Sequence, residues 1–287
     1  MRTRWRAGLV PVALMAAAAL ALPGASSAGS AGLVPVPAGT RAMWVWSDAP
    51  AADVVSWAAG HGVSEIFVSV SASVLTNGDL ARLQDIRRRA VAARIRMTAL
   101  GGDPAWTTDY APALAWQKAV VTTGLFDGIH LDVEPYLLPA WSANLAGAEA
   151  AYLKLLERMR AGSTLRLEAD VPFWYGQYRT GTANFADEVL KRVDGITVMS
   201  YRNSGTGPNS IIAVSQDWLA RGAAAGKRVR LGAETGSLPD CGYCTFAGTS
   251  NTTLQLELAK VDTSTRTAAA FGGIAIHWYA TWRTLRP

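Results

Sequence analysis

The stretch Phe126–Tyr136, FDGIHLDVEPY, reads as a buried strand, yet it carries Asp127, Asp132 and Glu134, with His130 between them. A carboxylate placed in a core costs several kcal/mol (~) unless it is paired, hydrogen-bonded or protonated. Acids concentrated at the end of an apolar strand therefore point to a site, and the fold around them decides which kind.

Working outward, apolar runs of strand length recur along the chain. They are 42–46, 65–70, 95–100, 128–133, 165–171, 195–200, 228–233 and 273–279. Segments with helical spacing separate most of them. The clearest is NLAGAEAAYLKLLERMRAG, in which Leu145, Ala148, Tyr152, Leu155, Leu156 and Met159 share one face. Asp79 stands where a cap for the second helix is expected. Near-continuous apolar strands alternating with helices imply a parallel sheet covered by helices. Eight such units in one domain, 41–287, predict an α/β fold, a (β/α)8 TIM barrel. Only ATWRTLRP follows the last strand, so the last helix is expected to be short or absent. An open doubly wound sheet is the alternative, but no G-x-G-x-x-G follows the first strand.

The first 28 residues have the layout of a secretory signal peptide: Arg2, Arg4 and Arg6, an apolar run to Leu22, then small residues. The run is shorter than the roughly 20 residues of a membrane span. Residues 29–40 read as a linker. Removing Met1–Ala28 takes away three arginines and no acid, lowering the formal charge from +5 to +2. The high pI is thus partly a property of the leader, and no basic patch argues for nucleic acid. The expected protein is secreted and extracellular, monomeric, and without a membrane span after cleavage. In an exported chain, Cys241 and Cys244 in PDCGYCTF are expected to form a local disulfide.

In such a barrel the C-terminal strand ends share one rim. Here they bring Trp46, Asp103, Asp132, Glu134, Asp170, Trp174, Tyr201, Arg202, Glu234 and Trp278 to one bowl. Strand alternation turns His130, Asp132 and Glu134 the same way, with Glu134 uppermost. Crowded carboxylates raise one another's pKa, and a raised acid at a rim can protonate a leaving oxygen. By the same alternation His277, next to Trp278, is expected to face away from the bowl. Aromatic rings at strand ends, Trp278 and Trp174 foremost, suit the apolar faces of sugars.

DGIHLDVE resembles the D-x-x-D-x-D-x-E motif of the family 18 glycoside hydrolases, the chitinase-like group. The resemblance implies that Glu134 is the proton donor. It makes Asp132 the residue that orients the substrate's N-acetyl group, which acts as nucleophile, and gives Asp127 a supporting position. ALGGD, VMSY and GGIAIHWY resemble further segments of that family, in order along the chain. They make Tyr201 the hydroxyl that binds the sugar's carbonyl and Trp278 the floor of the pocket. His130 and Arg202 stand where the family has aspartates, and Ala99 where it has Ser.

Two other readings stay open. Glu134 and Glu234 could serve as acid and nucleophile of a retaining glycosidase, which needs the two carboxyls about 5–5.5 Å apart. A carbohydrate-binding barrel that has lost catalysis is the other, motivated by His130 and Arg202. The expected partner in every case is a carbohydrate, and no cofactor or metal is expected, since H-x-H and H-x-x-H spacings are missing.

Overall fold

The computed structural model describes residues 32–287, so the leader expected at Met1–Ala28 lies outside the described residues. Eight parallel strands close into a barrel: β1 (Arg41–Val45), β2 (Val63–Ser69), β3 (Arg96–Gly101), β4 (Gly128–Leu131), β5 (Arg166–Pro172), β6 (Gly195–Met199), β7 (Arg228–Glu234) and β8 (Phe271–His277). Each pairs with the next, and β8 closes on β1 through Arg41–Ile274 and Ala42–Ala275.

The covering helices are α1 (Ala51–Gly60), α2 (Leu80–Ala92), α3 (Tyr110–Thr123), the short α4 (Pro139–Ala143), α5 (Leu145–Ala161), α6 (Phe185–Arg192), α7 (Ile211–Ala225) and α8 (Asn251–Thr265). After β8 comes α9 (Tyr279–Trp282), a single turn, so the last helix is short as expected. Each of α3, α5, α6, α7 and α8 starts on a polar residue whose side chain accepts a backbone N–H of the first turn: Asp109, Asn144, Asn184, Ser210 and Ser250. Asp79 occupies the cap position of α2, but its carboxylate is spent on Arg82 at 2.6 Å and makes no cap bond. None of the described helices is long and apolar enough to cross a membrane.

Two apolar regions follow from strand alternation. Outward residues such as Met43, Val45, Ile66 and Val68 join the buried faces of the helices in the main core. Inward residues Ala42, Trp44, Phe67, Leu100 and Ala275 make a second, smaller cluster inside the barrel, with Trp46 and Trp278 resting on it. The interior also holds buried polar side chains, among them Glu65, His130, Glu168, Asp170 and Arg230. Leu33 and Val36, in the stretch before β1, pack against the main core.

The β3 end is shaped by close approach. A Cβ on Gly102 would lie 1.8 Å from the backbone oxygen of Asp132, and one on Gly101 would lie 2.4 Å from the Trp116 ring. Glycine at both positions lets the acid-bearing end of β4 sit directly against β3, where the Asp132 N–H donates to Gly101 O at 3.0 Å.

Candidate active site

β4 ends at Leu131, two residues before its apolar pattern does, so Asp132 and Glu134 stand on the turn that leaves the strand. A 3-10 turn, Pro135–Leu137, follows at once. The three side chains differ in depth. His130 is fully buried, Asp132 lies above it, and Glu134 is half-buried at the mouth.

His130 sits between two carboxylates of β5. Its Nε2 lies 2.8 Å from Asp170 Oδ1 and its Nδ1 3.7 Å from Glu168 Oε2. The ring stacks on Phe67, centroids 3.9 Å apart. Burial opposes its charged form, but Asp170 and Glu168 outweigh burial and push His130 up to about 9. Below it, Arg230 bridges Glu168 and Glu65, and Thr98 donates to Glu65 at 2.7 Å. The interior thus alternates anion and cation from Glu65 through Arg230, Glu168 and His130 to Asp170.

At the mouth the compensation is weaker than burial and the neighbouring carboxylates. Asp132 Oδ1 is buried without a hydrogen-bond partner. Burial, then the charges of Asp170 and Glu134, hold the Asp132 carboxyl well above the usual range. Burial also raises Glu134, with a contribution from Asp170, and the Tyr136 hydroxyl that donates to Glu134 Oε1 partly offsets it. Raising a carboxyl's pKa favours its protonated form, and in that form it can donate a proton.

Glu234, at the end of β7, is buried and bonded through both oxygens. Oε1 accepts the Gly236 N–H, and Oε2 lies 2.7 Å from His277 Nδ1. Trp46 Nε1 donates to His277 Nε2 at 3.0 Å, so Nδ1 carries the proton given to Glu234. His277 therefore faces the bowl, against the expectation from alternation: β8 ends at His277, and the strand period does not extend to Trp278. Tyr201 lies beside it, ring centroids 5.9 Å apart, and its hydroxyl has no hydrogen-bond partner among the described residues. Burial raises the Tyr201 pKa well above its ordinary value, with Glu234 and Asp170 adding to it.

The remaining sequence-derived residues scatter more widely. Asp170 is 3 % exposed and lies in the ion column, accepting from Trp44 Nε1 at 3.0 Å. Asp127 is at the other end of β4, accepting Met97 N–H at 2.9 Å and pairing with Arg87. Asp103 caps a short turn by accepting Ala105 N–H at 2.8 Å. Trp174 packs among Tyr136, Trp141, Tyr175 and Tyr178 in an aromatic group beside Glu134. Arg202 is 9 % exposed, lies over the rings of Phe173 and Tyr243, and donates to Asn209 Oδ1 at 2.8 Å. Its Nη1 reaches Cys244 Sγ at 3.7 Å, and Cys241 and Cys244 are joined in a disulfide.

Sequence reasoning missed Tyr136, Trp44, Glu168, Arg230 and His277. Four of these carry a period-two signal: Trp44 precedes Trp46 by two, Glu168 precedes Asp170, Arg230 precedes Gly232 and Glu234, and His277 follows Ala275.

No protein-family model matches the chain, and no curated protein matches it in sequence. Solved structures do match its shape. A family 18 chitinase from Cycas revoluta, in complex with (GlcNAc)3, superposes with a TM-score of 0.56 at 14% identity, covering 85% of this chain and 95% of the other. A family 18 chitinase from Pseudoalteromonas aurantia gives 0.53 at 14%, covering 84% and 94%. The spore cortex-lytic enzyme SleL of Bacillus megaterium gives 0.55 at 12%, covering 83% and 70%. The resemblance read from the strand-four motif thus holds at the level of the fold: a family 18-like barrel with a divergent motif.

Proposed function

We propose that this chain is an exported glycoside hydrolase of β-linked, N-acetylated polysaccharide or glycoconjugate, with Glu134 as general acid. The observation that carries the proposal is the pair Asp132 and Glu134 just past the end of β4, Asp132 with a buried and unpartnered Oδ1, beside an unbonded Tyr201 hydroxyl; burial raises both carboxyls. Export rests on the Met1–Ala28 layout. The substrate class rests on the motif and on neighbours that include a chitinase in complex with (GlcNAc)3.

In the proposed reaction, protonated Glu134 donates to the glycosidic oxygen as the bond to the anomeric carbon breaks. The acetamido oxygen of the same sugar attacks that carbon. Asp132, whose Oδ1 is buried and unpartnered, accepts the acetamido N–H, and the Tyr201 hydroxyl donates to the acetamido oxygen. Glu134, now a carboxylate, takes a proton from the water that opens the intermediate. His130 supports this chemistry as a buried cation: it offsets Asp170, so that crowding raises Asp132 and Glu134 without leaving the whole column uncompensated.

A Glu234 nucleophile is less well supported, because both Glu234 oxygens are already bonded. The test compares turnover of a chitooligosaccharide with that of its de-N-acetylated counterpart. N-acetyl assistance requires that only the acetylated chain turn over. Equal turnover would remove the assisted mechanism, and binding of both without turnover would leave a carbohydrate-binding barrel.

A further inference from the structure

At the end of the barrel opposite Glu134, the N-terminal ends of β1, β2, β3, β5 and β7 surround a cavity of about 190 Å³. Five arginines line it, Arg41, Arg96, Arg166, Arg228 and Arg230, with Glu65 as the acid among the lining residues. Their partners can be assigned one by one. Arg41 pairs with Asp262 at 2.6 Å. Arg230 bridges Glu65 and Glu168, Arg96 reaches Glu65, and Arg166 reaches Glu168. Arg228 has no carboxylate partner among the described residues. It donates to the carbonyls of Ala269 at 2.8 Å, Phe271 at 3.2 Å, and Val34.

Five guanidiniums therefore face three carboxylates, Glu65, Glu168 and Asp262. Burial, and then the charge of Arg166, draw Arg228 down from its ordinary value, the sign of two like charges held near each other. Arg96 and Arg166 keep part of their side chains exposed, 51% and 31%, so the cavity is reachable from solvent.

We propose that this cavity binds a tetrahedral oxyanion of the phosphate or sulfate class, held by Arg96, Arg166 and Arg228. Guanidinium forks match such oxygens in pairs, and a doubly charged anion cancels the excess positive charge. The volume suits one such ion with a few waters. Val36 and Thr40 also line the cavity, so the bound anion ties the chain before β1 to the barrel base. The site lies at the end of the barrel opposite the rim, and Arg228 bonds none of the carboxylates that lead up to it.

The test is calorimetric titration of the purified protein with inorganic phosphate, with thermal unfolding in phosphate, sulfate or chloride at equal ionic strength. A ligand that binds only the folded state raises its stability. One phosphate is expected per chain, with a rise in Tm in phosphate or sulfate that exceeds the rise in chloride. Arg228→Gln and Arg166→Gln are each expected to weaken phosphate binding at least tenfold, and Arg228→Gln, at a residue that bonds no carboxylate of the ion column, to leave sugar hydrolysis unchanged. Should either variant fail to fold, the more exposed Arg96→Gln decides: weaker binding supports the site, and unchanged binding overturns it. An equal Tm rise in chloride, or wild-type affinity in the variants, also overturns it.

Discussion

His130 Nε2 lies 2.8 Å from Asp170 Oδ1, and the imidazole is the cation that joins the lower ion network to the acids of the rim. An aspartate in its place would add a further negative charge between Glu168 and Asp170. The ion network beneath it is built to a different pattern, with Arg230 between Glu65 and Glu168, and it accommodates a cation at position 130.

His130 gives a stability prediction with a definite sign. Its folded value, about 9, lies above its ordinary 6.5. The stabilisation is therefore fully present below pH 6.5 and is lost as pH rises through about 9. The loss across that window is roughly 3 kcal/mol at 1.36 kcal/mol per unit. Urea unfolding at several pH values is expected to show this decline in the wild type and a flatter profile in His130→Asn. Parallel profiles would contradict the assignment.

Tyr136 tunes Glu134. Its hydroxyl stabilises the carboxylate, so Tyr136→Phe is expected to raise the Glu134 pKa further. A general acid works while protonated, and the rate falls as pH rises through its pKa. The alkaline limb of kcat/KM should thus move to higher pH in Tyr136→Phe, with the maximal rate within about tenfold of wild type. A limb that moves downward, or stays in place, would separate Tyr136 from the acid.

Much of the fold was legible because near-continuous apolar runs alternate with segments of helical spacing. Within AMWVW and RVRLGA a period-two signal also marks Trp44 and Arg230 as inward-facing, but it is passed over where the runs are read as uniformly apolar. That Glu134 stands at the mouth was legible because it falls just past the end of such a run. The companions of the site were harder to read because they depend on partners far apart in sequence. Asp170 reads as a rim residue, but its carboxylate is taken by Trp44 and His130. Arg202 reads as a rim cation, but Phe173, Tyr243 and Asn209 hold it within the loops. His277 reads as outward-facing because alternation was extended past the strand end.

Gly102 predicts a position-specific effect. Gly102→Ala must displace the Asp132 backbone, since the new Cβ would lie 1.8 Å from its oxygen. Overpacking of this kind costs about 1–3 kcal/mol, so Tm should fall by several degrees. Misplacement of a substrate-orienting group by about 1 Å can cost 10²-fold, so kcat should fall further than stability alone explains. Full activity in a folded Gly102→Ala protein would show that the position of Asp132 does not matter to the reaction.

Glu234→Gln separates the two hydrolytic readings. With N-acetyl assistance, Glu234 only holds His277 and the Gly236 turn, and a loss within about tenfold is expected. A nucleophile would be lost outright, with a drop as deep as that of Glu134→Gln and a covalent glycosyl-enzyme detectable by mass in the wild type.

The most direct measurement is reducing-sugar release by the purified protein from chitin, peptidoglycan, β-glucan and mannan, with Glu134→Gln beside it. The expected result is release from an N-acetylated substrate that falls by 10²–10⁴-fold (~) in the variant, while its Tm matches the wild type. Release at the wild-type rate by a folded Glu134→Gln protein would contradict the role given to Glu134, and release by neither protein would contradict hydrolysis itself.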